Sequence, residues 1–453
     1  MFGAGGLALG SLTGCSDSRP DSSPPSPSGP PVVDEPALRR LSVRRLWSAP
    51  DRTMISDIRS STLYDGVLYA VAESADAKAR GLQAIDLAAG TVRWSSQDID
   101  DDEVRAAAKG ARLFEATSIV AGTGRTAVVL GTTYRLPCAD GSENACQDEE
   151  TSTTAEMSVV GLSAQDGSVR WAQVVVAAIA RRAMTTGDEE VATVVAGDAD
   201  SVVVATGAGQ VINGSYTADQ RNPCRTVSLD ASSGRERWRV EGLLPLALTA
   251  DVVLTIQPDG AANQLRREFS EVVALDRETG RRRWSTADTL QYAALVAAGP
   301  HLVALRSGNA RGNPGAQYLV DPATGDQLGD PLPLTASEPI IGESDDGVAM
   351  AAWTLTEDRG YVYTCTADDP EHRRSAVAPN ENTSLIGGRI HRGYIWSGEL
   401  GAGRTRAIDR SGHDCSDEVP GFLVEAVDDH HLVMLHRGRE DGDRTGFSVY
   451  GLS

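Results

Sequence analysis

The chain has 453 residues, 42 Lys and Arg against 63 Asp and Glu, and a formal net charge of −21. So acidic a composition argues against nucleic-acid binding, which calls for a basic stripe. The length exceeds what one conventional core accommodates, so either several domains or a repeated unit has to absorb it.

Met1 to Thr13 is a small-residue apolar stretch, too short to span a bilayer, that ends in Leu12-Thr-Gly-Cys15. That tetrapeptide has the form of a bacterial lipobox, so residues 1–15 are expected to be a lipoprotein signal peptide with Cys15 carrying the lipid. No positive charge precedes the apolar stretch, which points to a start codon assigned too far downstream. Ser16 to Val33 is rich in Ser, Pro and Asp and holds too little apolar surface to fold. The expectation is a disordered tether over 16–41 and one folded domain over 42–453.

Within that domain one phrase recurs: an apolar run, a polar residue, Gly four residues on and Trp eight residues on. It runs from Asp86 through Gly90 to Trp94, from Ser163 through Gly167 to Trp171, from Asp230 through Gly234 to Trp238, and from Asp276 through Gly280 to Trp284. A fifth copy, Asp321 to Gly325, keeps the turn and drops the Trp. Each copy reads as a β-hairpin: alternating apolar residues form a strand, Asp and Gly turn it, and the Trp opens a second strand that buries a large side chain. Continuing the spacing leads to Val362–Thr366 before Asp368, to Arg406–Asp409 before Gly412, and to a final strand at Phe447–Leu452.

A second signal, a Gly or Asp turn followed at once by a β-run, falls between the first ones. It occurs at Asp65-Gly66, Gly122–Gly124, Asp198–Asp200, Asp251, Gly299–His301, Asp346-Gly347, Gly387-Gly388 and Asp428–His431. Two turn types in alternation give eight four-stranded units a, b, c, d, and hence an all-β, eight-bladed β-propeller. The last unit lacks strand d, while Arg44-Arg-Leu-Trp47-Ser is a lone d-like strand with its Trp. Pairing the two closes the ring.

The phrase is nearly complete in Val273-Ala-Leu-Asp276-Arg-Glu-Thr-Gly280-Arg-Arg-Arg-Trp284, and it resembles the repeat of the PQQ-type (quinoprotein-like) propellers, including BamB-like bacterial lipoproteins. The resemblance covers about residues 42–453, most clearly the first four blades. It implies the fold far more than the function, because some members are quinone-dependent dehydrogenases and others do no chemistry. A dehydrogenase of this type would need a Trp floor under its cofactor, a catalytic Asp and calcium ligands. Here Trp47, Trp94, Trp171, Trp238 and Trp284 are taken by the repeat, so no cofactor, no metal and no catalytic residue is expected.

Only Lys78 and Lys109 are lysines, a bias that with abundant Ala, Gly and Asp points to a GC-rich, actinobacterial genome. The cysteines beyond Cys15 are five. In an oxidising compartment Cys138 could pair with Cys146 and Cys365 with Cys415, with Cys224 in neither pair. His301, His391, His430 and His431 sit at or just after a–b turns, which explains them without a metal.

The a–b and c–d turns share one face of a propeller and are uniformly tight here. The long connections, 132–156 and 207–222 (b–c), and 97–111 and 177–190 (d–a), all fall on the other face, which includes the acidic run Asp98 to Glu103. Loops on a rigid scaffold are where binding resides. The expected protein is therefore a monomeric, lipid-anchored binding or scaffolding module on the extracytoplasmic side of the cell membrane, whose partner or ligand meets the long-loop face. The alternatives are a PQQ-dependent oxidoreductase and the ligand-sensing domain of a signalling system.

Overall fold

The structure, a computed structural model, describes residues 37–48, 55–74, 80–99, 101–108, 112–135, 154–180, 192–206, 211–212, 215–216, 224–257, 271–288, 293–308, 314–356, 358, 360–376, 388–398, 404–421, 423–436 and 446–453. Cys15, the signal peptide, most of the tether, and Cys138 and Cys146 lie outside them.

Eight four-stranded antiparallel sheets follow one another along the chain. Blade 1 comprises strands 1a to 1d, Ile55–Tyr64, Val67–Ser74, Arg80–Asp86 and Thr91–Ser95. Blade 2 is Arg112–Ala121, Val128–Arg135, Thr154–Ser163 and Val169–Ala180. Blade 3 is Thr193–Gly197, Ser201–Thr206, Arg225–Asp230 and Glu236–Glu241. Blade 4 is Leu244–Leu248, Val252–Gln257, Glu271–Asp276 and Arg282–Ser285. Blade 5 is Ala293–Ala298, Val303–Gly308, Pro314–Val320 and Gln327–Leu332. Blade 6 is Ile340–Glu343, Ala349–Thr354, Tyr361–Thr366 and Arg373–Ala376. Blade 7 is Arg389–His391, Tyr394–Gly398, Arg404–Ile408 and Val419–Pro420. Blade 8 takes Leu423–Val427, His431–His436 and Gly446–Leu452 from the C-terminus and Val43–Ser48 from the N-terminus. That last pairing, Val43 opposite Leu452 through Ser48 opposite Ser448, closes the ring as the sequence implied.

Each strand a lies against the strands a of both neighbouring blades, so the eight form an unbroken inner ring. No single core exists. Apolar residues collect instead at the eight seams, as at 8|1, where Trp47, Leu68, Ile85, Val433, Phe447 and Val449 meet. Alternate residues of one strand serve opposite seams: Val67, Tyr69 and Val71 face blade 2, while Leu68 and Ala70 face blade 8. This double burial explains why strands 3b, Ser201–Thr206, and 6b, Ala349–Thr354, are buried at every position and read as nearly continuous apolar runs.

Four expectations are corrected by the structure. The tether ends earlier than residue 41, because Leu38 and Leu41 pack onto blades 7 and 8 and the Leu41 N–H donates to the Cys415 carbonyl at 2.6 Å. In blade 7 the a–b turn is Arg392-Gly393, both at positive φ (47° and 79°), and residues 389–391 form strand a before it. The b–c and d–a insertions of blade 2 are shorter than 132–156 and 177–190, since Thr132 to Arg135 pair with Val159 to Glu156 and strand d still pairs at Ala180 with Thr154.

The fourth concerns the cysteines. Cys365 and Cys415 are separate free thiols. Cys365 turns into seam 5|6 beside Trp353 and Cys415 into seam 7|8 beside Trp396, so seam 6|7 lies between them. Burial pushes the Cys365 thiol up to about 12 and the Cys415 thiol to about 11, which leaves both protonated at neutral pH.

Candidate functional site

The repeated residues come together at the seams on the tight-turn face. In each of blades 1 to 4, strand d carries a β-bulge at the residue before the Trp: Ala84 pairs with Trp94 and Ile85 with Val92, skipping Arg93, and the same slip recurs at Arg170, Arg237 and Arg283. A bulge turns two successive side chains in new directions. The Arg folds back within its own blade onto the turn residue, Arg93 to Asp86 at 2.8 Å, Arg237 to Asp230 at 2.9 Å, Arg283 to Asp276 at 2.7 Å and Arg170 to Ser163 at 3.2 Å. The Trp crosses the seam.

There the indole meets the next blade's c–d turn. Its N–H donates to the carbonyl just after the repeat's polar residue: Trp47 to Leu87 (2.7 Å), Trp94 to Ala164 (3.2 Å), Trp171 to Ala231 (3.1 Å), Trp238 to Arg277 (2.7 Å) and Trp284 to Pro322 (2.8 Å). The ring lies flat on the turn glycine. A Cβ on Gly90, Gly167, Gly234, Gly280 or Gly325 would stand 2.3–3.1 Å from it. These glycines also adopt φ of 67–80°, so both reasons for glycine coincide. Asp86, Asp230, Asp276 and Asp321 shape the turn by accepting backbone N–H bonds, for example from Thr279 to Asp276 at 2.8 Å. Hydrogen bonds from Thr279 and Arg283 hold the Asp276 carboxyl down at about 2, and those from Ser232 and Arg237 hold Asp230 lower still.

All the repeat residues expected from the sequence are thus brought together, but in a structural device with no open reactive group. The arginines of the clasp were not singled out from the sequence, although an Arg precedes four of the five repeat tryptophans. Nor was the N-terminal strap. Leu38 N donates to the buried Asp409 carboxylate at 3.1 Å, the Tyr394 hydroxyl donates to Arg39 O at 2.9 Å, and Arg40 pairs with Asp417. Leu38, Leu41 and Val43, apolar residues flanking Arg39 and Arg40 after Pro36, were the available signal.

On the long-loop face the acidic run becomes a short helix, Asp101–Ala107, anchored by buried Val104 and Ala108 and lying against strands 2a and 2d. Asp98, Asp102 and Glu103 are exposed. The histidines serve local pairs: His391 bonds Asp429 at 2.7 Å across seam 7|8, and His431 bonds Asp428. Among the described residues no three His, Cys, Asp or Glu could hold a metal ion together.

All seven Trp rings lie in seams between blades, Trp353 and Trp396 being 1% exposed.

A closed propeller of eight blades, latched by tryptophan onto glycine, defines the PQQ-type class. The family model described as outer membrane protein assembly factor BamB matches residues 44–286 and 216–369, and the chain belongs to this family. Among solved structures, the quinohemoprotein alcohol dehydrogenase of Comamonas testosteroni is similar at 12% identity and a TM-score of 0.42, covering 90% of this chain and 76% of that one. BamB from Moraxella catarrhalis is similar at 16% identity and 0.34, covering 75% and 99%. The β-propeller domain of the Trilobed protease from Pyrococcus furiosus is similar at 9% and 0.38, covering 75% and 93%. No curated protein matches.

Proposed function

We propose that this chain is a lipid-anchored, extracytoplasmic binding or scaffolding propeller of the cell envelope, without catalytic activity. Membership of the BamB family supports an envelope role. The observation that carries the reading is the path of the N-terminal strap. Ser42 and Ser453 exchange backbone hydrogen bonds of 2.9 and 3.1 Å where blade 8 would have its c–d turn, and Leu38 is held beside the c–d turn of blade 7. A chain leading back to a lipid on Cys15 therefore leaves from the tight-turn face. The opposite face, with the Asp101–Ala107 helix, is turned from the membrane and meets the partner.

Cys15→Ser in the native host should move the protein from the membrane fraction to the soluble fraction. Unchanged membrane association would overturn the anchoring. Titration with PQQ and calcium, followed by absorbance and calorimetry, should give no saturable binding. Stoichiometric binding with reduction of the quinone by an alcohol would replace the proposal with an oxidoreductase.

A further inference from the structure

The outer edge of each blade is its strand d, whose free N–H and C=O groups could pair with another chain. Most of these edges are blunted. Strands 1d, 3d, 4d, 6d, 7d and 8d have two to six residues and carry Arg, Glu or Pro, as in Glu-Arg-Trp-Arg-Val-Glu of 3d and Arg-Arg-Trp-Ser of 4d, and 5d carries Asp330 and Pro331.

Strand 2d is longer and less charged, with β-bulges in its ladder to 2c at Arg170 and Val175. It is 12 residues long, and after Arg170 it reads Trp-Ala-Gln-Val-Val-Val-Ala-Ala-Ile-Ala with neither charge nor Pro. It pairs with 2c on one side, and no described strand pairs on the other. Val174 is 38% exposed, one of three large hydrophobic side chains so exposed among the described residues, with Val92 of the five-residue strand 1d another. The Val174 carbonyl faces out of the sheet, where it accepts from the Gln173 side-chain amide at 3.1 Å, a bond that an incoming strand would replace.

The Asp101–Ala107 helix lies against this strand and carries the exposed Asp102 and Glu103, with Asp102 also pairing with Arg105 at 4.0 Å. A long β-edge free of charge and Pro after Arg170 and bordered by negative charge selects an extended strand-forming segment with basic residues, since main-chain bonds supply affinity and flanking charges choose the partner.

We propose that the edge of 2d, over Ala172–Val176, accepts a basic extended segment of a partner protein as a fifth strand of blade 2. The proposal rests on the binding reading above and names the site and chemistry of the partner. It does not depend on the lipid, so a protein found soluble in the Cys15→Ser test leaves it intact.

The probe is a capped peptide of about nine residues, within the usual strand length, alternating Val and Thr with Lys at its ends and centre. Two controls carry Glu for Lys, or Pro at the centre. With the full chain, hydrogen exchange should slow over 172–176 and stay unchanged over strand 4d. The Lys peptide should bind about tenfold more tightly than its Glu counterpart, a difference of roughly 1.4 kcal/mol, and the Pro peptide should not bind.

Val174→Lys should remove the protection without changing the melting temperature, and Asp102→Lys with Glu103→Lys should erase the preference for Lys over Glu. Absence of protection on 2d, protection elsewhere, or equal binding of both charged peptides would overturn the proposal. So would a dimer in sedimentation that Val174→Lys disperses, because the occupant would then be the 2d edge of a second copy.

Discussion

The five seams from 8|1 to 4|5 and the three from 5|6 to 7|8 all bury apolar side chains, yet they hold them in different ways. The first group repeats one device five times: Trp on Gly, indole N–H on a turn carbonyl. The second uses a separate solution at each seam. At 5|6 the roles are exchanged, because Gly329 stands where the Trp would be and faces the Pro370 carbonyl, which a Cβ there would meet at 2.6 Å. His372 packs edge-on against Trp353 behind it, at 5.1 Å between centroids.

At 6|7 strand 6a comes so close to 7a that a Cβ on Gly342 would lie 2.5 Å from Ile390, and Gly393 N donates to Glu343 O at 2.7 Å. At 7|8 the strap, the His391 and Arg392 contacts to Asp429 and the Tyr450 bond to Pro420 O replace the latch. Strands a carry a bulge in blades 1 to 5 and 8 but not in 6 and 7, so the backbone follows the same division. A repeated latch gives uniform seams, whereas improvised seams give the ring a side on which it can open first.

The largest expected effect tests closure itself. Deleting residues 42–49 or 446–453 should leave a protein rapidly cleaved in limited proteolysis, because an open blade 8 exposes apolar strand edges. Deleting 16–33 should leave resistance unchanged. Equal resistance of all three deletions would mean that seam 8|1 does not hold the ring.

Single latches come next. Trp171→Ala should lower stability in denaturant unfolding by about 3–5 kcal/mol through lost burial and a cavity. Gly234→Ala forces a Cβ within 2.3 Å of that ring at a φ of 69°, and should cost about 2–4 kcal/mol from overpacking and strain together. Gly347→Ala, at a φ of 84° with nothing within 4 Å, isolates the backbone share, about 1 kcal/mol.

A finer comparison separates the indole hydrogen bond from the ring. Trp171→Phe removes a bond to Ala231 O, whereas the buried Trp353 N–H has no partner among the described residues. Trp171→Phe should therefore cost about 1 kcal/mol more than Trp353→Phe in paired unfolding curves. Equal costs would show that the latch works through ring contact alone.

Acid should divide the two sides with the smallest perturbation. Burial lowers the His372 and His436 pKa values below the ordinary 6.5, and Arg45 lowers His436 further. Both are neutral in the fold, and the unfolded chain takes up protons first, so the stability they carry is present above pH 6.5 and is lost as pH falls below it. Asp230 and Asp276 are depressed from 3.8, so their contribution persists until the pH falls below about 4. Hydrogen exchange near pH 5 should show faster opening around 5|6 and within blade 8 while strands 3c and 4c stay protected. His372→Gln should flatten that response at 5|6.

Much of this was legible in the sequence because a propeller seam is built from local phrases. A hairpin turn needs Asp and Gly at fixed offsets, and a bulged strand d sets its Trp at a fixed distance beyond, so Asp230, Gly234 and Trp238 announced themselves together. Ring closure was legible too, since a lone strand with Trp47 at one end matched a missing strand at the other.

The pairing of Cys365 with Cys415 was not decidable, because residues in nearby blades can face opposite seams and one step of strand parity decides which. The strap was invisible for a related reason. Its value depends on Asp409, some 371 positions away in the chain, and only the closed ring brings that carboxylate to Leu38. The sequence by itself determined the repeat, the number of blades and the place of closure, all of which are short-range chemistry repeated. Only the tertiary structure decided which seam each side chain serves, which outer edge lies beside the acidic helix, and where the N-terminal chain leaves the ring, because those follow from contacts between strands that no local pattern encodes.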